Sequence, residues 1–223
     1  MPIWIFSALV GLALALPAEA EIVTRLPTRE KIVALTFDAC ESKKPAFLDR
    51  KIADYLLSEK IPFTIFVSGR FARHNQEALK ELAAEDFVEL ENHSLDHDNH
   101  MELMSDEEIR HQIAGNDALL AGITGRHTRY FRFPAGNHDD RGVALAESLG
   151  FKVVHWSFAS GDPAKEVTAQ RLQDYVLSQT RPGSILIFHI NGRGWNTAEA
   201  LPQIVEELRR RGYRFTTLAQ ALS

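Results

Sequence analysis

The sequence predicts an α/β fold in which parallel strands are wrapped by helices. Three observations carry this. Apolar, β-branched runs alternate with amphipathic stretches from Lys31 to the end of the chain, the rhythm of successive βαβ units. The chain has 223 residues, 45% of them hydrophobic and 25% charged, which suits one such domain with a sizeable core. Five of the strand candidates lead directly into reactive side chains, and parallel sheets hold their sites at the carboxyl ends of strands.

The strand candidates, in order, are 32–37, 63–67, 87–90, 130–133, 153–158, 185–188 and 213–216. Each is short and rich in Val, Ile, Phe or Tyr, and most are bounded by polar residues, glycine or proline. Between them lie helical patterns over 45–59, 76–85, 106–120, 141–149, 167–180 and 198–211. Ser105 followed by Asp106-Glu107-Glu108 reads as an N-cap with an acidic first turn and a capping box. Gly150 and Gly212 stand where helices end. Seven parallel strands fit either an open doubly wound sheet or a closed barrel, and periodicity does not choose between them.

The first twenty residues differ from the rest. Ile3 to Leu16 is almost wholly apolar, and Ala18-Glu19-Ala20 is a small-x-small site, which reads as a signal peptide cleaved after Ala20. No Lys or Arg precedes the apolar run, and the run is short of the ~20 residues that span a bilayer. The expected mature protein is periplasmic or secreted, with no stable membrane insertion after cleavage. Residues 21–30 read as a surface arm and 31–223 as one domain. Cys40 is the sole cysteine, so no internal disulfide forms. The net charge is −5 and no basic stripe is present, which excludes a nucleic-acid partner. Arg209-Arg210-Arg211 closes a helix, where positive charge complements the dipole.

The most informative short segment is His93-Ser94-Leu95-Asp96-His97. Two histidines four apart in a tight loop can aim both imidazoles at one point, and neutral imidazole is a common zinc ligand. Among nine histidines one close pair also arises by chance. The pair gains weight from its company: Thr36-Phe37-Asp38-Ala39-Cys40, Phe131-Arg132-Phe133-Pro134-Ala135-Gly136, Gly161-Asp162-Pro163 after Trp156, and Leu186-Ile187-Phe188-His189.

These five blocks, in this order over residues 36 to 189, resemble the polysaccharide deacetylases, carbohydrate esterases with a NodB-homology domain. The family pattern is a Thr-Phe-Asp-Asp-Gly-like block, a His-x-x-x-His block, an Arg-x-Pro-x-Gly block, an Asp-containing block near a Trp, and a Leu-x-His-like block. The resemblance covers nearly the whole chain after residue 20. It implies a distorted (β/α) barrel with about seven parallel strands. It also implies an enzyme that hydrolyses the acetamide of N-acetylhexosamine residues in a polysaccharide or oligosaccharide, peptidoglycan by compartment, to acetate and free amine.

The resemblance assigns roles that chemistry makes intelligible. His93 and His97 would hold a divalent ion, zinc by ligand type, which acidifies water and polarises a carbonyl. Asp38 would be the general base, and Arg132 would orient its carboxylate by charge-assisted hydrogen bonds. His189 would protonate the departing amine, with Asp162 favouring its protonated form. The plainer readings are a turn or cap aspartate for Asp38, a surface ion pair for Arg132, a core histidine for His189 and a turn aspartate for Asp162. Trp156, Phe133 and Trp195 are candidates for an apolar floor under the sugar. His100 and His138 lie near the blocks without being assigned as ligands.

The departure is Ala39, where the family has a second, metal-binding aspartate. The third ligand is then water, Cys40 or Glu41, or the site has decayed. The rival functions are a non-catalytic carbohydrate-binding protein and a hydrolase of a non-sugar amide.

Overall fold

A computed structural model describes residues 21–41 and 43–222; the signal peptide read over residues 1–20 lies outside them. The described strands are β1 (Ile22–Val23), β2 (Ile32–Ala39), β3 (Phe63–Val67), β4 (Val88–Asn92), β5 (Tyr130–Phe131), β6 (Lys152–Val154), β7 (Phe158–Ala159), β8 (Ile185–His189) and β9 (Arg214–Thr216). They form one sheet in the order β1-β6-β5-β4-β3-β2-β8-β7, with β9 also paired to β2. Every pairing is parallel. The fold is therefore the curled, distorted α/β barrel that the resemblance implies, and all the strands end on one rim.

The sheet has two more strands than the sequence pattern gives. The run 153–158 is one candidate strand by composition but two by partnership. Lys152–Val154 pairs with β5 and β1, while Phe158–Ala159 pairs with β8. The bend between them lets the chain change partners where the barrel curls shut. The arm supplies the rest of the closure. Ile22 and Val23 pair with Val153 and Val154, the His155 amide donates to Val23 O, and the Ser157 hydroxyl donates to Thr24 O. Farther along, Arg25 bridges antiparallel to Ser184 and Leu26 buries its side chain within the barrel.

The helices are α1 (Arg50–Ser58), α2 (Gly69–His74), α3 (Gln76–Ala83), α4 (Asp106–Thr124), α5 (Asp140–Ser148), α6 (Ala169–Gln179), α7 (Thr197–Arg210) and α8 (Leu218–Leu222). The predicted capping box is present: Ser105 Oγ accepts from Glu108 N while Glu108 reaches back to Ser105 N. Helix α1 starts later than its amphipathic pattern because Asp49 caps it by accepting from Lys51 N. Helices α2 and α8, six and five residues long, are too short to leave a periodic signature.

Strand alternation sorts the core. On β2, Val33, Leu35, Phe37 and Ala39 join the large apolar cluster that includes Ile52, Leu56, Val205 and Leu208 of the helices. Ala34 joins Phe66, Tyr130, Val154 and Ile185 inside the barrel. Thr36 and Asp38 share that inward parity and form a polar layer above the apolar plug.

Two acids also lie within the wall. Glu89 accepts from Thr64 Oγ1 and from the amides of Leu218 and Ala219, tying α8 to the barrel. Glu91 Oε2 accepts from the amides of Arg129 and Tyr130. Burial, and then the neighbouring Glu89 charge, push the Glu91 carboxyl well above the usual range. A carboxyl raised on folding binds more protons folded than unfolded. Its stabilisation is complete below the unfolded value of 4.5 and declines as pH rises above it. Glu91→Gln imitates the protonated form. In urea titrations across roughly pH 5 to 8 the variant is expected to hold its stability where the parent loses some. A parallel decline in both proteins would show that Glu91 is not the titrating group.

Candidate active site

One cleft of about 250 Å³ opens on the rim where the strands end, lined by Asp38, Cys40, His93, His97, Trp156, Asp162 and His189 among others. Five of the six predicted site residues line it. The sixth, Arg132, has no exposed surface.

Asp38 and His189 are register partners on adjacent strands, so the parallel pairing itself sets them side by side. Arg132 follows β5 and points into the barrel. Its Nη1 donates to Asp38 Oδ1 at 2.7 Å, its Nη2 to Thr36 Oγ1 and His155 O, and its Nε to Val154 O. Its guanidinium carbon also stands 3.9 Å from the Phe66 ring centroid. Burial alone would raise the Asp38 carboxyl, but Arg132, His93 and His189 outweigh it and hold the group at about 2. Asp38 is therefore ionised at neutral pH, and the surface-pair reading of Arg132 fails because the pair is fully enclosed.

His93 and His97 occupy a tight loop after β4. Ser94 and His97 both adopt left-handed backbone, φ 66° and 55°, a costly conformation for residues other than glycine. Side chains hold it there. Asn92 Oδ1 accepts from Ser94 N, and Ser94 Oγ accepts from His97 N. From α4, Asn116 donates to Asn92 Oδ1 and to Val67 O, and Gln112 clasps both the amide and the carboxylate of Asp96. The result brings the two imidazole centroids to 4.9 Å.

His93 Nδ1 is 2.8 Å from Arg132 O, a contact that fixes Nδ1 as the protonated nitrogen and leaves a lone pair on Nε2. That Nε2 sits 3.5 Å from Asp38 Oδ2 and has no hydrogen-bond partner, and neither ring nitrogen of His97 has one. Burial lowers both imidazoles, His97 to about 3, so both are neutral. A divalent cation fits these residues: they offer buried, unprotonated nitrogens with nothing else to bind, beside a carboxylate.

Across the cleft, Asp162 is almost fully enclosed and accepts four hydrogen bonds, from His189 N, His189 Nδ1, Thr197 Oγ1 and Ser160 Oγ. The Nδ1 contact is 2.9 Å, leaving Nε2 as the free nitrogen of His189. The turn sequence Gly161-Asp162-Pro163 does make a turn, but the carboxylate is spent on the histidine rather than on the turn alone.

Other expectations divide. Trp156 lines the cleft; Phe133 is instead buried against the helices with Ile113 and Val143, and Trp195 is exposed outside the cleft, under Lys165. Gly136 is explained by Trp156: its φ is +75°, and a Cβ there would meet the indole at 2.7 Å. His138 is exposed on Gly136 O, and His100 pairs with Glu102. Glu41 turns away to bond His74 and the Ala46 amide. Cys40 lines the cleft, and burial together with the Asp38 charge pushes its thiol well above the usual range. Asn92, Gln112, Asn116, Ser160 and Thr197 were not found by the sequence reading, and Thr36 was placed in a block without a role. A signal existed for two of them: Gln112 and Asn116 fall four apart on the same face of α4 as Ile109, Ile113 and Leu120.

Comparison with known proteins agrees with this geometry. Residues 25–154 match the family model described as polysaccharide deacetylase. A peptidoglycan-N-acetylglucosamine deacetylase of Bacillus cereus is 29% identical over 194 residues, covering 86% of this chain and 68% of that protein. The solved structure of the Bc1960 peptidoglycan N-acetylglucosamine deacetylase, in complex with a hydroxamate-type benzamide, is 27% identical with a TM-score of 0.82, over 90% of this chain and 92% of that one. A mutant of BA3943, described as a CE4 family pseudoenzyme with restored enzymatic activity, is 25% identical with a TM-score of 0.81, over 92% of this chain and 72% of that one; the wild-type protein is from Bacillus anthracis. The family model spans more than half of the sequence and takes in the Asp38, His93, His97 and Arg132 blocks: the chain belongs to the polysaccharide deacetylase family.

Proposed function

We propose that this protein is an exported, metal-dependent N-deacetylase that hydrolyses the acetamide of N-acetylhexosamine residues in peptidoglycan or a related glycan. One observation carries the reading. A carboxylate locked by a buried arginine stands beside two unpartnered imidazoles, and a carboxylate-held histidine faces them in the same cleft.

His93 and His97 would hold the ion, zinc by ligand type. Bound there, the ion supplies Lewis acidity toward water and toward a carbonyl oxygen. Asp38 accepts the proton of the attacking water on Oδ2, since Oδ1 is engaged by Arg132. Arg132 keeps that carboxylate ionised and fixes its direction. His189 delivers a proton from Nε2 to the departing nitrogen, its ring held by Asp162 through Nδ1. Water adds to the acetyl carbon, the carbon–nitrogen bond breaks, and acetate and a primary amine leave. Trp156 gives the cleft an apolar wall for the acetyl methyl or the sugar face. Export rests on the apolar run and the small-x-small site of residues 1–20. Among the described residues no helix is long and apolar enough to cross a membrane.

The test is acetate release from N-acetylglucosamine oligomers and from peptidoglycan, with zinc or cobalt supplied. Asp38→Asn is expected to lower turnover by on the order of 10²–10⁴-fold. His93→Ala should lose turnover and bound ion together. Undiminished turnover in Asp38→Asn would remove it as the base. Ala39 favours a second reading, a glycan-binding protein without turnover. That reading predicts glycan binding and no acetate under any metal.

A further inference from the structure

We propose that Cys40 is the third metal ligand, replacing the family's aspartate with a thiolate and making a Cys40–His93–His97 centre. The proposal rests on the metal-site part of the reading above and is independent of the reaction.

The argument begins with strand parity. Along β2, odd positions face the helices and even positions face the barrel. Ala39 is wholly buried in the helix-facing cluster and does not line the cleft. Cys40 has the parity of Thr36 and Asp38, and it does line the cleft. The lost ligand therefore reappears one residue later on the side where the ion would sit.

Distance supports the same set. The Cys40 sulfur and one nitrogen each of His93 and His97 all lie within 4.8 Å of one another. The nitrogens are an independent sign of a ligand. His93 has no exposed surface and His97 is 7% exposed, yet His93 Nε2 and both nitrogens of His97 lack partners. Unmatched polar atoms at such depth are costly unless something binds them. A competing trio, Asp38, Cys40 and His189, is equally compact. There, however, Asp38 Oδ1 already serves Arg132 and His189 Nδ1 serves Asp162. Their remaining atoms, Asp38 Oδ2 and His189 Nε2, are not buried without a partner; of the two trios, only the histidine loop offers such atoms.

The backbone that carries the sulfur is also held in place. Asn191 Nδ2 donates to Cys40 O, and the next amide, Glu41 N, donates to Ser68 Oγ. Glu41, the other acidic neighbour, is committed to His74 and Ala46. Exchange of carboxylate for thiolate keeps the ligand charge at minus one and changes its softness. Two imidazoles and a thiolate with an open fourth position suit zinc, cobalt and cadmium, and disfavour magnesium and manganese, which prefer oxygen.

The experiment uses the whole purified chain, stripped of metal and reloaded with cobalt(II). The parent is expected to show a near-ultraviolet thiolate-to-cobalt charge-transfer band. Because Cys40 is the sole cysteine, that band has one possible source. Cys40→Ser should abolish it and weaken cobalt binding by on the order of a hundredfold, the upper end of what a supporting residue costs. Cys40→Asp, which keeps the charge, should bind cobalt without the band and gain manganese relative to cadmium; it also guards against a serine variant that fails to fold. Zinc should protect the parent thiol from alkylation. Cobalt bound without the band, or bound equally well by Cys40→Ser, would overturn the proposal. So would a parent that takes up no ion. Acetate release without the band sinks the thiolate ligand and spares the deacetylase; the band without acetate release does the reverse.

Discussion

Arg132→Met is expected to cost the fold about 3–5 kcal/mol, because it leaves the Asp38 carboxylate buried and uncompensated. The arginine has no exposed surface and the aspartate almost none. Four donor contacts end on Asp38, Thr36, Val154 and His155, so the loss reaches β2, β6 and the bend after it at once. Urea unfolding followed by circular dichroism reads the effect. A loss under about 1 kcal/mol, the scale of an exposed pair, would refute the account. The same pair has an acid signature. Asp38 is lowered from 3.8 to about 2, so its contribution is complete above about pH 4 and fades as pH falls toward 2. In Arg132→Met that window should shrink. The variant should also lose acetate release, since the proposed base loses both its charge partner and its aim.

Asp162→Asn is expected to lower turnover by on the order of 10²–10⁴-fold with little change in KM. The carboxylate accepts four hydrogen bonds, and an amide supplies one oxygen and two donors in its place. At least one of His189 N, His189 Nδ1 and Thr197 Oγ1 then meets an N–H instead of an acceptor. The imidazole loses either its tautomer or its orientation. Glycan affinity, measured separately, should persist, because Asp162 is almost wholly buried and both its oxygens are engaged by His189, Thr197 and Ser160. A rise in KM with unchanged kcat would instead make Asp162 a part of substrate binding.

Much of this site was legible because a parallel sheet delivers strand ends to one rim. Asp38, His93, Arg132 and His189 each follow an apolar run, so order along the chain became proximity in space. The His93/His97 spacing was legible as a pair of imidazoles converging in one loop, although the left-handed backbone of Ser94 and His97 that shapes the loop was not, since neither a serine nor a lone histidine signals positive φ strongly. Ala39 and Cys40 could not be weighed from sequence until the register of β2 fixed which of them faces inward. Gln112 and Asn116 were hidden by the opposite convention: polar residues on a helix read as solvent-facing, and these two point into the wall to hold another segment's backbone. The run 153–158 looked like one strand because composition reports burial and not the identity of the hydrogen-bonding neighbour.

That divided run and the arm beside it also govern how the barrel is completed. Arg25 donates to the carbonyl of Pro182, and the Ser157 hydroxyl to that of Thr24, contacts 157 and 133 residues apart along the chain. Neither clasp can fasten until the last third of the polypeptide has arrived, which makes this seam a late event in folding. Before the arm docks, Lys152–Val154 presents bare amides and carbonyls on the side that β1 covers, a template for another chain's strand. A shortened protein begun at residue 31 would keep that side bare permanently, and self-association through it is the cost such a truncation carries.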